Sequence, residues 1–80
     1  MSSLRDVKID EVIFSVVEAT WREVASVIIK VADTMGSDLP EGDAGFNLVS
    51  NRIEILVRYG HLLAQGKIKN WRYSELRKPD

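Results

Sequence analysis

Three polar side chains suited to molecular recognition are spaced for one side of a predicted helix. Asn47, Asn51 and Arg58 follow one another at intervals of four and seven residues, which places them on a common helical face. Asparagine and arginine form paired hydrogen bonds with the edges of adenine and guanine. Arginine is also enriched among the residues that dominate protein–protein interfaces. The spacing therefore indicates a contact surface for a nucleic acid or for another protein.

A second group of basic and aromatic residues lies near the C-terminus. It consists of Lys67, Lys69, Trp71, Arg72 and Tyr73. Its cations could hold phosphate groups, whereas tryptophan, tyrosine and arginine are typical of protein interfaces. Trp71 and Tyr73 alternate onto one face of a predicted strand, opposite Ser74 and Leu76. We expect this aromatic face to pack over the third helix.

The sequence contains no pattern typical of an enzyme active site. His61 is the only histidine, and no Ser-His-Asp set, HExxH motif or glycine-rich phosphate loop accompanies it. Asp38, Glu41 and Asp43 do not have the spacing of a calcium-binding loop. We therefore expect a non-catalytic chain with no catalytic residue, no cofactor and no metal.

Length and composition limit the class of protein. The 80 residues suffice for one small domain. The absence of cysteine favours a reducing cytoplasm, and no apolar run approaches the ~20 residues that a membrane span needs. The net charge of −1 hides an asymmetry, because residues 1–45 carry a net charge of −5 and residues 46–80 a net charge of +4. Such a division is typical of a surface that meets a charged partner.

Apolar periodicity predicts three helices that position these residues. Residues 1–8 show no periodicity and are predicted to form a flexible N-terminus, so that a single domain covers residues 9–80. Asp10 is predicted to cap the first helix. The predicted core residues are Val16, Val27, Ile28, Ile53 and Leu56.

Capping signals set the predicted ends of the other two helices. Thr20 and Glu23 fit a capping box, which predicts a second helix from Trp21 to Met35. Gly36 is a typical helix-ending residue. The third helix is predicted over residues 44–59, with an aspartate before it as its N-cap and a glycine after it.

The hydrophobic period changes after the third helix. Residues 61–65 and 70–76 are predicted to form the two strands of a β-hairpin around residues 66–69. The predicted fold class is therefore mainly α (α+β): a three-helix bundle followed by a C-terminal β-hairpin, in a winged helix-turn-helix-like order.

Four stretches carry a resemblance to a known family. They are residues 9–13 (IDEVI), 20–25 (TWREVA), 51–60 (NRIEILVRYG) and 63–77 (LAQGKIKNWRYSELR). With them the chain resembles the bacterial domain-of-unknown-function family 3658 over nearly its whole length, and the last stretch is the most specific. The resemblance implies a small winged-helix-like domain without an established activity, which many members of that family carry after a larger domain.

Two functions compete for the same surface. We expect a module that binds another protein through the third helix and the hairpin. The alternative is a small DNA-binding regulator that reads bases with Asn47, Ser50, Asn51 and Arg58. The connection before the third helix is longer than a typical helix-turn-helix turn, Glu54 would repel phosphate, and the chain is slightly acidic. Protein binding is therefore favoured, while the partner's identity and the oligomeric state stay open.

Overall fold

Helices provide most of the regular backbone, together with a small antiparallel sheet. The computed structural model describes residues 4–66 and 74–79. In chain order the elements of these residues are α1 (Leu4–Val16), β1 (Arg22–Glu23), α2 (Val24–Met35), a 3₁₀ helix (Gly36–Asp38), α3 (Asp43–Arg58), β2 (Leu63–Gln65) and β3 (Glu75–Arg77). This arrangement confirms the predicted α+β fold class and is consistent with a winged-helix-like order.

The core is built from one apolar stripe of each helix, completed by residues of the connections and of the sheet. α1, α2 and α3 contact one another pairwise. The buried apolar residues are Ile9, Ile13, Val17, Val24, Val27, Ile28, Val31, Met35, Leu39, Val49, Ile53, Leu56, Leu62 and Leu76. Four of the five predicted core residues are among them. The exception is Val16, which is only half-buried because the neighbouring Val17 occupies the core position at the end of α1.

The first helix starts earlier than the sequence pattern indicates. Asp10 lies inside α1 and does not cap it, so the predicted start at that residue is wrong. Residues 4–8 are helical, whereas the sequence predicts a flexible terminus over residues 1–8. The amino group of Lys8 lies 2.5 Å from the carboxylate of Asp38, which is 30 residues away in the chain. Such a long-range contact leaves no trace in local periodicity.

Strand β1 occupies the positions predicted for the first turn of α2. The proposed capping box of Thr20 and Glu23, with a helix from Trp21, is wrong, because α2 begins after Glu23 and no side chain caps it. The backbone N–H of Val24 donates instead to the carbonyl of Ser74, at 2.9 Å. Pairing with a distant segment thus satisfies one of the backbone donors that the start of a helix leaves without an intrahelical acceptor.

The sheet has the order β1-β3-β2, with β3 antiparallel to both neighbours. Ala64 of β2 lies opposite Leu76 of β3, so the two predicted hairpin strands do pair. Ser74 and Leu76 are buried. The core therefore receives the strand face that the sequence analysis placed away from it. Trp71 and Tyr73, which were predicted to pack, lie outside the described residues.

The connection between α2 and α3 holds the start of α3 close to the core. α2 ends at Met35 as predicted, and Gly36 follows with a φ of 55°, where a residue without Cβ is favoured. Leu39 is buried below the connection. A Cβ at Gly45 would lie 2.2 Å from the carbonyl oxygen of Pro40. Only glycine therefore allows α3 to approach the connection this closely.

The ends of α3 differ by one residue from the prediction. The helix begins with Asp43 itself, and Gly42, not Asp43, is the N-cap. At the other end the helix stops at Arg58, and Tyr59 is the C-cap. The backbone N–H of Tyr59 still donates to a carbonyl of the last turn, at 3.1 Å.

Candidate functional site

The solvent-facing side of α3 carries a continuous polar line, which we call the α3 stripe. Its residues are Asp43, Asn47, Asn51, Glu54 and Arg58. Glu54 is half-buried and the other four are exposed. The structure thus brings three of the predicted recognition residues, Asn47, Asn51 and Arg58, onto one accessible face. The remaining predicted residues, Lys67, Lys69, Trp71, Arg72 and Tyr73, lie outside the described residues.

The rotation of α3 about its axis is fixed by the contacts of its opposite side. Val49, Ile53 and Leu56 are buried there. At one edge of this side, Arg52 donates two hydrogen bonds to Asp10 of α1, at 2.9 Å from Nε and 2.7 Å from Nη2. Hydrogen bonding to this carboxylate raises the pKa of Arg52 above its ordinary value. These contacts leave the α3 stripe turned towards solvent.

Charge is distributed unevenly along this face of the molecule. Asp43 stands in the first turn of α3 and Glu41 in the connection just before it, whereas Arg58 stands in the last turn. Residues 31–51 contain four acidic residues and no lysine or arginine. An acidic start and a basic end both stabilise the helix through its macrodipole. The same distribution makes the start of the stripe repel phosphate and its end attract carboxylates.

Exposed apolar surface adjoins the basic end of the stripe, where α3 leads into the sheet. Tyr59 is 71% exposed and Leu63 is 36% exposed. Between them Gly60 turns the chain with a φ of 80°, and the buried Leu62 donates its N–H to the carbonyl of Leu56 at 3.3 Å. The buried Leu62 therefore holds the junction against the core, while the side chains of Tyr59 and Leu63 are exposed to solvent.

Tyr59 and Leu63 are not among the interaction residues that the sequence predicts. A signal for Tyr59 was available, because it follows the buried stripe of α3 and immediately precedes the helix-ending Gly60. No comparable signal marks Leu63, since its exposure depends on which face of β2 turns to the core. The exposed side was decided by the pairing of β2 with β3.

A surface depression of about 390 Å³ lies beside β1, on the α1–α2 side of the molecule. Within it Arg22 donates to Glu18 at 2.6 Å. The ring of Trp21, which also lines the depression, has the Arg77 guanidinium 5.2 Å from its centre. The hydrogen bond from Arg22 lowers the pKa of Glu18. We interpret this cluster as structural, because it links the α1–β1 connection to β3.

Metal binding finds no support in the described part of the chain. Among residues 4–66 and 74–79, no group of three or more His, Asp or Glu side chains could hold an ion. None of the helices in these two ranges is long and apolar enough to cross a membrane.

Comparisons with known proteins identify no similar protein. The chain matches no protein-family model, no curated protein and no solved structure. The surface of α3 and the sheet junction are therefore the features from which a function can be inferred.

Proposed function

We propose that this chain is a non-catalytic, winged-helix-like binding module that contacts another protein through α3 and the β2–β3 hairpin. The observation that supports this proposal is the exposed apolar surface of Tyr59 and Leu63, in the segment that directly follows Arg58. Aromatic residues and arginine are the side chains most enriched in the centre of protein interfaces. A polar helix face with an aromatic residue at its end is a combination that another folded protein can cover.

The charge of the same surface favours a protein over DNA. Phosphate binding draws its free energy from cations that displace counterions. Glu41 and Asp43 lie at the start of α3, and Glu54 lies in the middle of the α3 stripe. These three carboxylates would face a DNA backbone or groove if α3 were inserted as a recognition helix. A protein partner can instead provide donors and cations for them.

DNA binding is the second candidate. The strand order β1-β3-β2 and the position of α3 before the hairpin correspond to the order of a winged helix. Asn47, Asn51 and Arg58 are exposed on α3, and Lys67 and Lys69 follow β2 in the sequence. This arrangement supports a wing and a recognition helix, although the acidic start of α3 opposes it.

The test compares two exposed apolar positions on different faces. Immobilised wild-type chain, Tyr59→Ser and Ile29→Ser are incubated with a native bacterial lysate. Ile29 is the matched control, because it is 53% exposed on α2, away from the proposed surface. We expect a protein that the wild type and Ile29→Ser retain and that Tyr59→Ser loses. The retained protein, once purified, should show the same difference in a titration.

Two results would contradict protein binding through this surface. The first is retention of the same proteins in the same amounts by all three forms. The second is a salt-sensitive electrophoretic shift of duplex DNA that Arg58→Ala and Lys67→Ala both abolish. The second result would make DNA binding the better proposal.

Two further elements belong to this proposal. The absence of cysteine suits a reducing compartment, so we place the module in the bacterial cytoplasm. We also propose, on the sequence resemblance alone, that the chain belongs to the domain-of-unknown-function family 3658, which supplies no activity. Neither element changes the expected result of the binding test.

A further inference from the structure

We propose that the α3 stripe is self-complementary and that two copies of this chain pair through it, with their α3 helices antiparallel around a twofold axis. This inference rests on the proposed function, since it uses the same surface and names the partner as a second copy. It follows from the order of residues along one exposed helix face.

The geometry begins with a common helical face. At about 100° per residue, the α3 stripe and Ser50 fall within an arc of about 100°. Ser50 and Glu54 are half-buried, while the four other side chains of this arc are exposed. The buried residues Val49, Ile53 and Leu56 point to the opposite side. The arc is therefore available to a second helix along the length of α3.

A second copy can be placed antiparallel to the first, with the twofold axis passing between residues 50 and 51. In this arrangement the two arcs face each other with complementary groups. Asp43 then lies opposite Arg58 of the second copy, and Asn47 lies opposite Glu54. The first contact pairs a carboxylate with a guanidinium. The second pairs an amide donor with a carboxylate. The twofold axis produces each contact twice.

A parallel pairing of the same faces is unfavourable. It would place Asp43 against Asp43 and Arg58 against Arg58 of the second copy, with like charges at both ends. It would also align the two helix macrodipoles, which the antiparallel arrangement opposes. The charge order along the stripe therefore selects one relative direction of the helices.

Glu54 provides the carboxylate of the inner contact. Acidic residues stabilise the first turn and basic residues the last turn of an isolated helix, which accounts for Asp43 and Arg58. Glu54 stands one turn before Arg58, at the i, i+4 spacing at which a glutamate and an arginine favour a helix. It is half-buried and forms none of the ion pairs found among the described residues. The amide of Asn47 of a second copy would give this carboxylate a donor.

The size of the surface limits its strength. α3 has 16 residues, so it is about 24 Å long. One polar helix face of this length buries less than the about 1,600 Å² of a standard interface. We therefore expect a weak dimer at high-micromolar concentration, with a dissociation constant that rises as salt screens its charged contacts.

The test uses charge reversal on both sides of the same contact. Asp43→Arg and Arg58→Asp each place like charges opposite one another twice in a homodimer. Each variant alone should therefore show a dissociation constant at least about tenfold higher in sedimentation equilibrium. An equimolar mixture of the two restores opposite charges at both contacts. We expect this mixture to form a heterodimer of nearly wild-type affinity.

Controls separate the contact from general charge effects and from loss of folding. Lys30→Glu changes the net charge as much as Arg58→Asp does, but on the exposed face of α2, and it should dimerise like the wild type. Circular dichroism reports the helix content of every variant. If a substitution at a helix end reduces that content, Asn47→Asp mixed with Glu54→Lys repeats the test on the inner contacts.

Two outcomes would overturn the inference. The first is a wild-type chain that is monomeric at about 1 mM, a concentration that populates weak interfaces. The second is an equimolar mixture of Asp43→Arg and Arg58→Asp that associates no better than either variant alone. The proposed function is tested separately. A monomeric wild type that still retains another protein through Tyr59 contradicts the twofold pairing alone. A chain that neither dimerises nor retains a protein contradicts both.

Discussion

On the core side of α3, Val49, Ile53 and Leu56 are enclosed by the other helices, whereas on the solvent side the α3 stripe is largely exposed. The two sides belong to one 16-residue helix and share its backbone hydrogen bonds. They differ in what a substitution removes. A change on the core side removes buried apolar contacts, while a change on the solvent side removes groups that water also solvates.

This difference separates stability from recognition within one element. The core side fixes the rotation of α3, and that rotation presents the stripe to solvent. The solvent side contributes little to folding, so its residues are free to be selected for a partner. Substitutions on the core side of α3 should therefore change stability strongly and binding little. Substitutions on the solvent side should change binding strongly and stability little.

The largest expected effect is the truncation of Leu56. Leu56→Ala should lower the free energy of unfolding by about 2–5 kcal/mol, because it removes buried methyl groups and leaves a cavity. Asn51→Ala, on the solvent side, should change it by less than about 0.5 kcal/mol. Urea denaturation of both variants checks this contrast. A loss well under about 1 kcal/mol for Leu56→Ala would be inconsistent with its place in the core.

An intermediate effect is expected where α3 approaches the α2–α3 connection. Gly45→Ala should lower the free energy of unfolding by about 1–3 kcal/mol, although alanine favours helices over glycine. The reason is the 2.2 Å distance between the added Cβ and the carbonyl oxygen of Pro40, a backbone atom that cannot rotate away. Thermal unfolding measures the change, with Asn47→Ala as the control on the solvent side. A stabilised Gly45→Ala variant would mean that the connection adapts to the methyl group.

Two ion pairs in different surroundings are expected to differ, one with an effect of similar size and one with a smaller effect. Arg52→Met should lower the free energy of unfolding by about 1–3 kcal/mol, since it leaves Asp10 largely buried without its two donors. Arg22→Met should have a smaller effect, because the Arg22–Glu18 pair is more than half exposed and screened by water. Equal losses in denaturant unfolding for the two variants would show that burial does not distinguish these pairs.

The exposed pair should also respond to pH. Arg22 lowers the pKa of Glu18 below the carboxyl value of 4.5, so the folded state holds this proton less tightly than the unfolded state does. The stabilisation is therefore present above pH 4.5 and is lost as the pH falls through the lowered pKa. Unfolding curves of the wild type and Glu18→Gln should accordingly converge on acidification. A difference that grows at low pH would contradict this ion pair.

Much of the fold could be predicted because the helices carry strong apolar periodicity. The end of α2 at Met35 and the burial of Ile53 and Leu56 follow from a 3.6-residue pattern and a glycine stop. The same pattern exposes Asn47, Asn51 and Arg58, since polar residues opposite a buried stripe must face solvent. These inferences need only local geometry.

The mistaken predictions for the starts of α1 and α2 lie in segments that make distant contacts. Thr20 and Glu23 offer a local cap, but residues 22 and 23 pair with β3 instead. Residues 4–8 lack an apolar pattern, yet Lys8 contacts Asp38 and the segment is helical. The exposure of Leu63 likewise depends on strand pairing, which the residue's own neighbours do not encode.

Periodicity along short segments was enough to predict three helices, the buried side of α3 and the polar order of the α3 stripe. Long-range packing established that β1 joins the sheet, that Ser74 and Leu76 face the core, and that Tyr59 and Leu63 are exposed. Strand partners and strand faces are set by residues far apart in the chain. The free energy of strand pairing depends on the burial of side chains, and this burial exists only after the helices have packed.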